Sequence, residues 1–111
     1  MDDCVFCNII NKTIPSEFQF ENGNLIVIKD IAPKAPVHLL VITKKHIVGV
    51  NHLDAADGQL AGEMIFTAKD MAEKNGIAES GYKLVFNVGA DGGQVVPHLH
   101  LHILGGKKMT E

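Results

Sequence analysis

Residues 97–104 run Pro97-His98-Leu99-His100-Leu101-His102-Ile103-Leu104. Successive side chains of a β-strand point to opposite faces. In one regular strand, His98, His100 and His102 therefore share a face, and Leu99, Leu101 and Ile103 share the other. The leucine face can anchor the strand in a core. The histidine face then presents imidazoles about 6–7 Å apart, from a rise of roughly 3.3 Å per residue. Half of the six histidines of the chain stand within these five positions, which sets the row apart from scattered surface histidines.

The remainder of the chain supplies partners for such a strand. A short helix is expected over about 4–11, where Phe6, Ile9 and Ile10 recur at helical spacing behind the aspartates 2 and 3. It ends near Asn11 and Lys12, with Pro15 blocking any continuation. Residues 16–21 alternate Phe18 and Phe20 with polar neighbours. Asn22-Gly23 and the apolar run Leu25-Ile26-Val27-Ile28 follow, a hairpin signal. Asp30 to Pro36 reads as a loop. His38 to Thr43 is apolar on both faces and reads as a central strand. A long helix starts at Asp54, with Asp57 in its first turn, and buries Leu60, Met64, Ala68 and Ala72, flanked by Ala61, Ile65 and Met71. Lys74 lies in its last turn, and Asn75-Gly76 closes it. A fourth strand covers 82–87, a glycine-rich turn covers 89–93, and the histidine strand comes last. Strands that cluster and outnumber the helices indicate an α+β domain with a five-stranded, mostly antiparallel sheet. The long helix covers one face, leaving the other face or an edge for a ligand or a second subunit.

A chain of 111 residues is one domain, 1–111, able to bury a core without disulfides. Its net charge of −3 argues against an electrostatic grip on nucleic acid or an anionic membrane. Neither a membrane span nor a signal-peptide layout is present, so the cytoplasm is the expected compartment. Cys4 and Cys7, three apart in a reducing compartment, point to metal or redox use.

Three chemistries suit the histidine row. It can be a solvated surface strand, a mononuclear metal site, or a nucleophilic imidazole oriented by its neighbours. A neutral imidazole attacks phosphorus and later leaves, dividing a phosphoryl or nucleotidyl transfer into two steps. Gly92-Gly93-Gln94 just before the row favours phosphate, because glycines let backbone N–H groups approach an anion and Gln94 can add a donor. Cys4 and Cys7 are either two buried thiols or half of a zinc site, with His46 a further ligand. His38 is a core histidine or a site residue. Asp30 caps a turn or binds ribose hydroxyls. Phe6, Ile9 and Ile31 are most simply core, and His52 is a solvated loop residue.

His98-Leu99-His100-Leu101-His102-Ile103-Leu104 resembles the His-φ-His-φ-His-φ-φ signature of the histidine-triad (HIT) superfamily, where φ is apolar. Residues 30–42, 44–47 and 87–94 resemble the corresponding stretches of its histidine-triad nucleotide-binding (Hint) branch. Three motifs thus agree in order and spacing over nearly the whole chain. The resemblance implies the HIT α+β fold, in a homodimer whose sheet runs through both subunits. It implies hydrolysis of nucleoside 5′-phosphoramidates of adenosine or guanosine, with a purine nucleoside monophosphate as ligand. Dinucleoside polyphosphate hydrolysis and nucleotide sensing with incidental turnover are the alternatives. By position, His100 would be the nucleophile, His102 would assist the leaving group and His38 would orient the site. Gln94 and the Gly93 backbone would contact phosphate, Asn87 would lie nearby, Asp30 would hold the ribose, and Phe6, Ile9 and Ile31 would line the base pocket. Members resembling this chain in the cysteine pair carry a structural zinc, which here would fall to Cys4, Cys7, His46 and His98. Two departures stand out. Val95 occupies a position where the branch often has a hydroxyl residue, and the chain ends at 107–111 without an aromatic tail.

Overall fold

A computed structural model describes residues 3–110 of the chain. Its centre is a five-stranded sheet in the order β1-β2-β3-β5-β4, with every neighbouring pair antiparallel. The strands are β1 (Phe20–Glu21), β2 (Leu25–Lys29), β3 (Val37–Thr43), β4 (Tyr82–Val85) and β5 (His100–Gly105). Helix α1 spans Val5–Ile10 and α2 spans Gly58–Lys74. β3 is central, as its run of apolar residues requires: every residue from His38 to Thr43 is buried.

The sheet divides its side chains by the period of two. Leu25, Val27, Leu39, Val41, Leu101 and Ile103 face α2 and pack with Met64, Ala68, Met71 and Ala72. Ile26, Ile28, Leu40 and Ile42 face the other way and pack with Cys4, Phe6, Cys7 and Ile9 of the α1 segment. Each large aliphatic side chain so buried contributes about 1.5–3 kcal/mol. Leu99, Leu101 and Ile103 all lie in the α2-side core, which turns the histidines of β5 toward α1.

Several elements differ from expectation. The strand expected over 16–21 shrinks to Phe20–Glu21, although the Gln19 N–H still reaches the Val27 carbonyl at 2.7 Å. The two phenylalanines explain this. Phe20 packs on the α2 side and Phe18 on the α1 side, so the chain wraps the sheet edge between them. The cap of α1 is Cys4, whose Sγ accepts from the Cys7 N–H at 3.4 Å; aspartate 2 lies outside the described residues. α2 is preceded by a 3-10 turn, Ala55–Asp57, closed by a capping box between Asp54 and Asp57. Ile65, expected beside the buried stripe, is half exposed, because the face that meets the sheet runs through Met64, Thr67, Ala68 and Met71. Ile31, read as core, is fully exposed on the loop before β3. β4 stops at Val85, and β5 starts at His100 rather than His98.

The hairpin tip is bound to α2. The Asn22 side-chain oxygen accepts from the Asn24 and Leu25 N–H groups, while the Asn22 and Asn24 amides both donate to the Glu63 carboxylate at 2.9 Å. No helix among the described residues is long and apolar enough to cross a membrane.

Candidate active site and metal centre

The three histidines of the alternating row do not act as one set. Because β5 begins at His100, His98 sits on the approach to the strand, where Leu99 bonds to the Ile47 carbonyl at 2.6 Å. The His98 ring is fully buried against Cys4, Cys7 and His46. Its Nδ1 lies 3.3 Å from Cys4 Sγ, 3.6 Å from Cys7 Sγ and 3.1 Å from His46 Nδ1, and Cys7 Sγ lies 3.2 Å from His46 Nδ1.

Four nitrogen and sulfur donors held tetrahedrally by one zinc stand about 3.3–3.8 Å from one another, given ligand bonds of about 2.0–2.3 Å. The four distances above come close to those separations, and every pair of donors lies within 4.8 Å. The Nε2–H of His98 donates to the Thr43 carbonyl at 2.7 Å, which leaves Nδ1 with a free lone pair aimed at the cysteines. Burial and the neighbouring Cys4 thiol push the Cys7 thiol up to about 11, so that thiol stays protonated until a cation displaces its proton. The donor set therefore fits a divalent, thiophilic metal, and it brings together all four expected ligands.

The second group faces a cavity of about 730 Å³ between the sheet and the C-terminal segment. The His100 Nδ1–H donates to the His98 carbonyl at 2.7 Å. A carbonyl only accepts, so in the neutral ring the lone pair is on Nε2. Phe6 meets this ring edge-on, 5.0 Å between centroids. Burial holds His100 below the usual histidine range.

His38 and His102 form a relay of defined tautomers. The Lys34 N–H donates to His38 Nδ1 at 3.1 Å, so neutral His38 carries its proton on Nε2. That nitrogen lies 2.9 Å from His102 Nδ1 and 3.3 Å from Asp30 Oδ2. His102 Nδ1 thus accepts, and its own proton sits on Nε2. Burial, then repulsion by His100 and His38, pushes His102 down to about 4. Burial also lowers His38, against the pull of Asp30. Near neutral pH the relay is uncharged.

Asp30, His38 and His102 also bring three donor atoms within 4.8 Å of one another, but the His38 nitrogen that faces the other two is Nε2, which carries the proton because Nδ1 accepts from the Lys34 N–H. A single ion held by His98, His100 and His102, the alternative raised by the sequence, is incompatible with these separate environments.

Phe6, Ile9, Asp30, Ile31, Asn87 and Gly93 all line the same cavity. Asp30 also caps the turn that follows it, its Oδ1 accepting from Ala32 N–H at 2.8 Å. Gln94 is different. Its Oε1 accepts from the Gly89 N–H at 3.0 Å, and its amide donates to the Val48 and Val96 carbonyls at 2.7 and 3.1 Å. The side chain braces the turn and leaves no proton for a ligand. Gly93 adopts φ 79° and donates its N–H to the Ala90 carbonyl at 3.0 Å, while Asn87 holds the Gly92 carbonyl at 2.8 Å. A side chain at Gly92 would run into the Val88 backbone, which ties the second glycine to the closeness of the turn. The sequence reading missed the Lys34 N–H that sets the relay, since a backbone donor leaves no mark in composition.

Comparison with known proteins agrees with this geometry. The model of the family described as "Scavenger mRNA decapping enzyme C-term binding" matches residues 3–111. A purine nucleoside phosphoramidase of Escherichia coli K12 is 40% identical over 108 residues, covering 97% of this chain and 91% of that protein. The chain belongs to the histidine-triad superfamily. Among other HIT proteins, HitA of Neisseria gonorrhoeae is 41% identical over 95% of this chain and 97% of its own length. A crystal structure of a HIT family hydrolase from Legionella pneumophila Philadelphia 1 superposes with a TM-score of 0.95 at 46% identity, over 97% of this chain and 96% of that one. The fold is accordingly the HIT fold.

Proposed function

We propose that this HIT protein, a nucleotide hydrolase of its superfamily, cleaves purine nucleoside 5′-phosphoramidates through a nucleotidyl group carried on His100. One observation carries the reading: the bond from His100 Nδ1–H to the His98 carbonyl, 2.7 Å long, which directs the free lone pair to Nε2. The similarity to the E. coli phosphoramidase supports the choice of substrate.

In the first step His100 Nε2 forms a bond to phosphorus as the P–N bond breaks. The departing nitrogen accepts a hydrogen bond from His102 Nε2–H and takes a proton from solvent, so the amine leaves neutral while His102 stays a neutral ring, held by the hydrogen bond from His38 Nε2–H to its Nδ1. In the second step water attacks phosphorus, gives a proton to solvent and releases His100 as a neutral ring with the nucleoside monophosphate. The neutral state of His100 keeps the nucleophile available near pH 7.

Asp30 would hold the ribose, Phe6, Ile9 and Ile31 would flank the base, and Asn87 with the Gly93 turn would border the phosphate. Cys4, Cys7, His46 and His98 would hold a structural zinc ion, whose contribution is to tie α1 to the sheet. A homodimer joined edge to edge would use β4, which pairs only with β5 and exposes Leu84. Residues 1–111 would act as one HIT domain.

Acid-free quenching during turnover of an adenosine 5′-phosphoramidate, followed by peptide mass spectrometry, tests the reading. Adenylate on the peptide bearing His100 is the expected result. Turnover at full rate with no adduct on any histidine would sink it.

A further inference from the structure

The chain holds ten lysines and no arginine against thirteen acidic residues. The cavity around His100 inverts that balance. Lys29, Lys34, Lys83, Lys107 and Lys108 line it, with Asp30 the one carboxylate among its lining residues. These lysines come from separate parts of the chain: the end of β2, the loop before β3, the β4 edge and the C-terminal segment. Chain proximity accounts only for the pairing of Lys107 with Lys108.

Elsewhere the lysines find partners. Lys12 and Lys44 lie 3.9 and 2.8 Å from the Glu21 carboxylate, Lys45 lies 2.7 Å from Asp57, and Lys69 lies 2.9 Å from Glu73. Lys74 sits 5.8 Å from the centre of the Phe20 ring. None of the five cavity lysines has a carboxylate within ion-pair distance among the described residues. Lys83 donates to the Thr110 carbonyl at 2.7 Å. Asp30 is already engaged with the Ala32 N–H and His38. Lys34 is close enough for its charge to count among the causes that lower both His38 and His102.

The cavity wall carries five ammonium groups against one carboxylate. The attacked phosphate of a phosphoramidate brings a single negative charge. A cleft of one sign, with low-dielectric walls, concentrates ligands of the opposite sign. We infer that the cavity is built for a substrate whose leaving group is itself an oxyanion, a phosphate or a carboxylate-bearing amine, received by Lys83, Lys107 and Lys108. This rests on the hydrolase reading above and narrows its substrate class.

A matched pair of adenosine 5′-phosphoramidates tests it, with leaving amines β-alanine and β-alanine amide, which differ in one negative charge. At low salt the carboxylate substrate should show kcat/KM higher by roughly tenfold. That ratio should fall toward one in 0.5 M salt, and in the Lys83→Gln, Lys107→Gln, Lys108→Gln triple variant. Diadenosine triphosphate forms a further arm: faster turnover than the carboxylate substrate assigns the oxyanion as phosphate, slower turnover as carboxylate. Equal kcat/KM for the matched pair in the unaltered protein, or a ratio kept by the triple variant, overturns the inference and leaves the hydrolase reading standing. If neither phosphoramidate is turned over, both fall.

Discussion

The carbonyl of His98 accepts the Nδ1–H of His100 at 2.7 Å, while the ring of His98 is held among two cysteines and a second histidine. These two residues thus join the Cys/His cluster to the proposed nucleophile. The cluster holds the His98 backbone, and that backbone fixes the His100 tautomer. If His100 is the nucleophile, its replacement by alanine removes the attacking atom and leaves the cluster intact. The expected outcome is a fall in kcat/KM of at least about 1000-fold. Adenosine monophosphate affinity, measured by calorimetric titration, should change only a few-fold.

If the Cys/His cluster holds zinc as proposed, removing the metal should act through stability first. Cys4→Ser takes one donor from a buried set in which Cys4 is 7% exposed. A loss on the order of 3 kcal/mol in unfolding free energy is expected, together with loss of zinc. Metal analysis paired with denaturant melts checks both. Chelation of the unaltered protein should abolish activity only as fast as the fold loosens. Immediate loss with the fold intact would place the ion in the chemistry.

Acid should weaken the protein through His102. Its folded pKa is pushed down to about 4 from the ordinary 6.5. Between these values the unfolded chain binds the proton and the folded chain does not, so stability rises with pH across this window. The contribution is complete above about 6.5, declines as pH falls toward 4 and is flat below. The whole swing is on the order of 2 kcal/mol after allowance for partial exposure of the ring. Urea melts at pH 7 and pH 4.5, compared between the unaltered protein and His102→Gln, isolate it: the variant should show a smaller difference. Activity follows the same direction, because protonating His100, whose pKa is also lowered, blocks its lone pair. The acid limb of kcat/KM should therefore lie below pH 6.5.

Much of the fold could be read from alternation. Leu99, Leu101 and Ile103 declare their face, and the doubly apolar run of β3 declares its central place. The histidines of β5 follow from both. What escaped the alternation was decided by distant partners. His98 leaves the row because Cys4, 94 positions away, and His46, 52 positions away, surround its ring. Phe18 and Phe20 separate because the chain turns around a sheet edge. Ile31 looks like core by type, yet the loop holding it stands outside the sheet. The lysine-lined cavity is invisible to any local pattern, since its members are spread from position 29 to position 108.

Gln94 separates two accounts of the loop. By resemblance it is a phosphate contact. By geometry its oxygen and both amide protons are already used, on Gly89, Val48 and Val96. Gly49 fits this second account, because a side chain there would press to within 3.0 Å of Gln94 Oε1. A brace of three hydrogen bonds joins the glycine-rich turn to the segment before α2 and to the approach of β5. Deleting it in Gln94→Ala should cost about 1–3 kcal/mol of stability, each net bond contributing about 0.5–1.5 kcal/mol with partial compensation by water. It should also raise hydrogen exchange at the Gly89 amide, which loses its acceptor. If Gln94 instead binds phosphate directly, the same variant keeps its stability and weakens adenosine monophosphate more than adenosine. Measuring melting, exchange and the two affinities on one variant decides between a strut and a ligand.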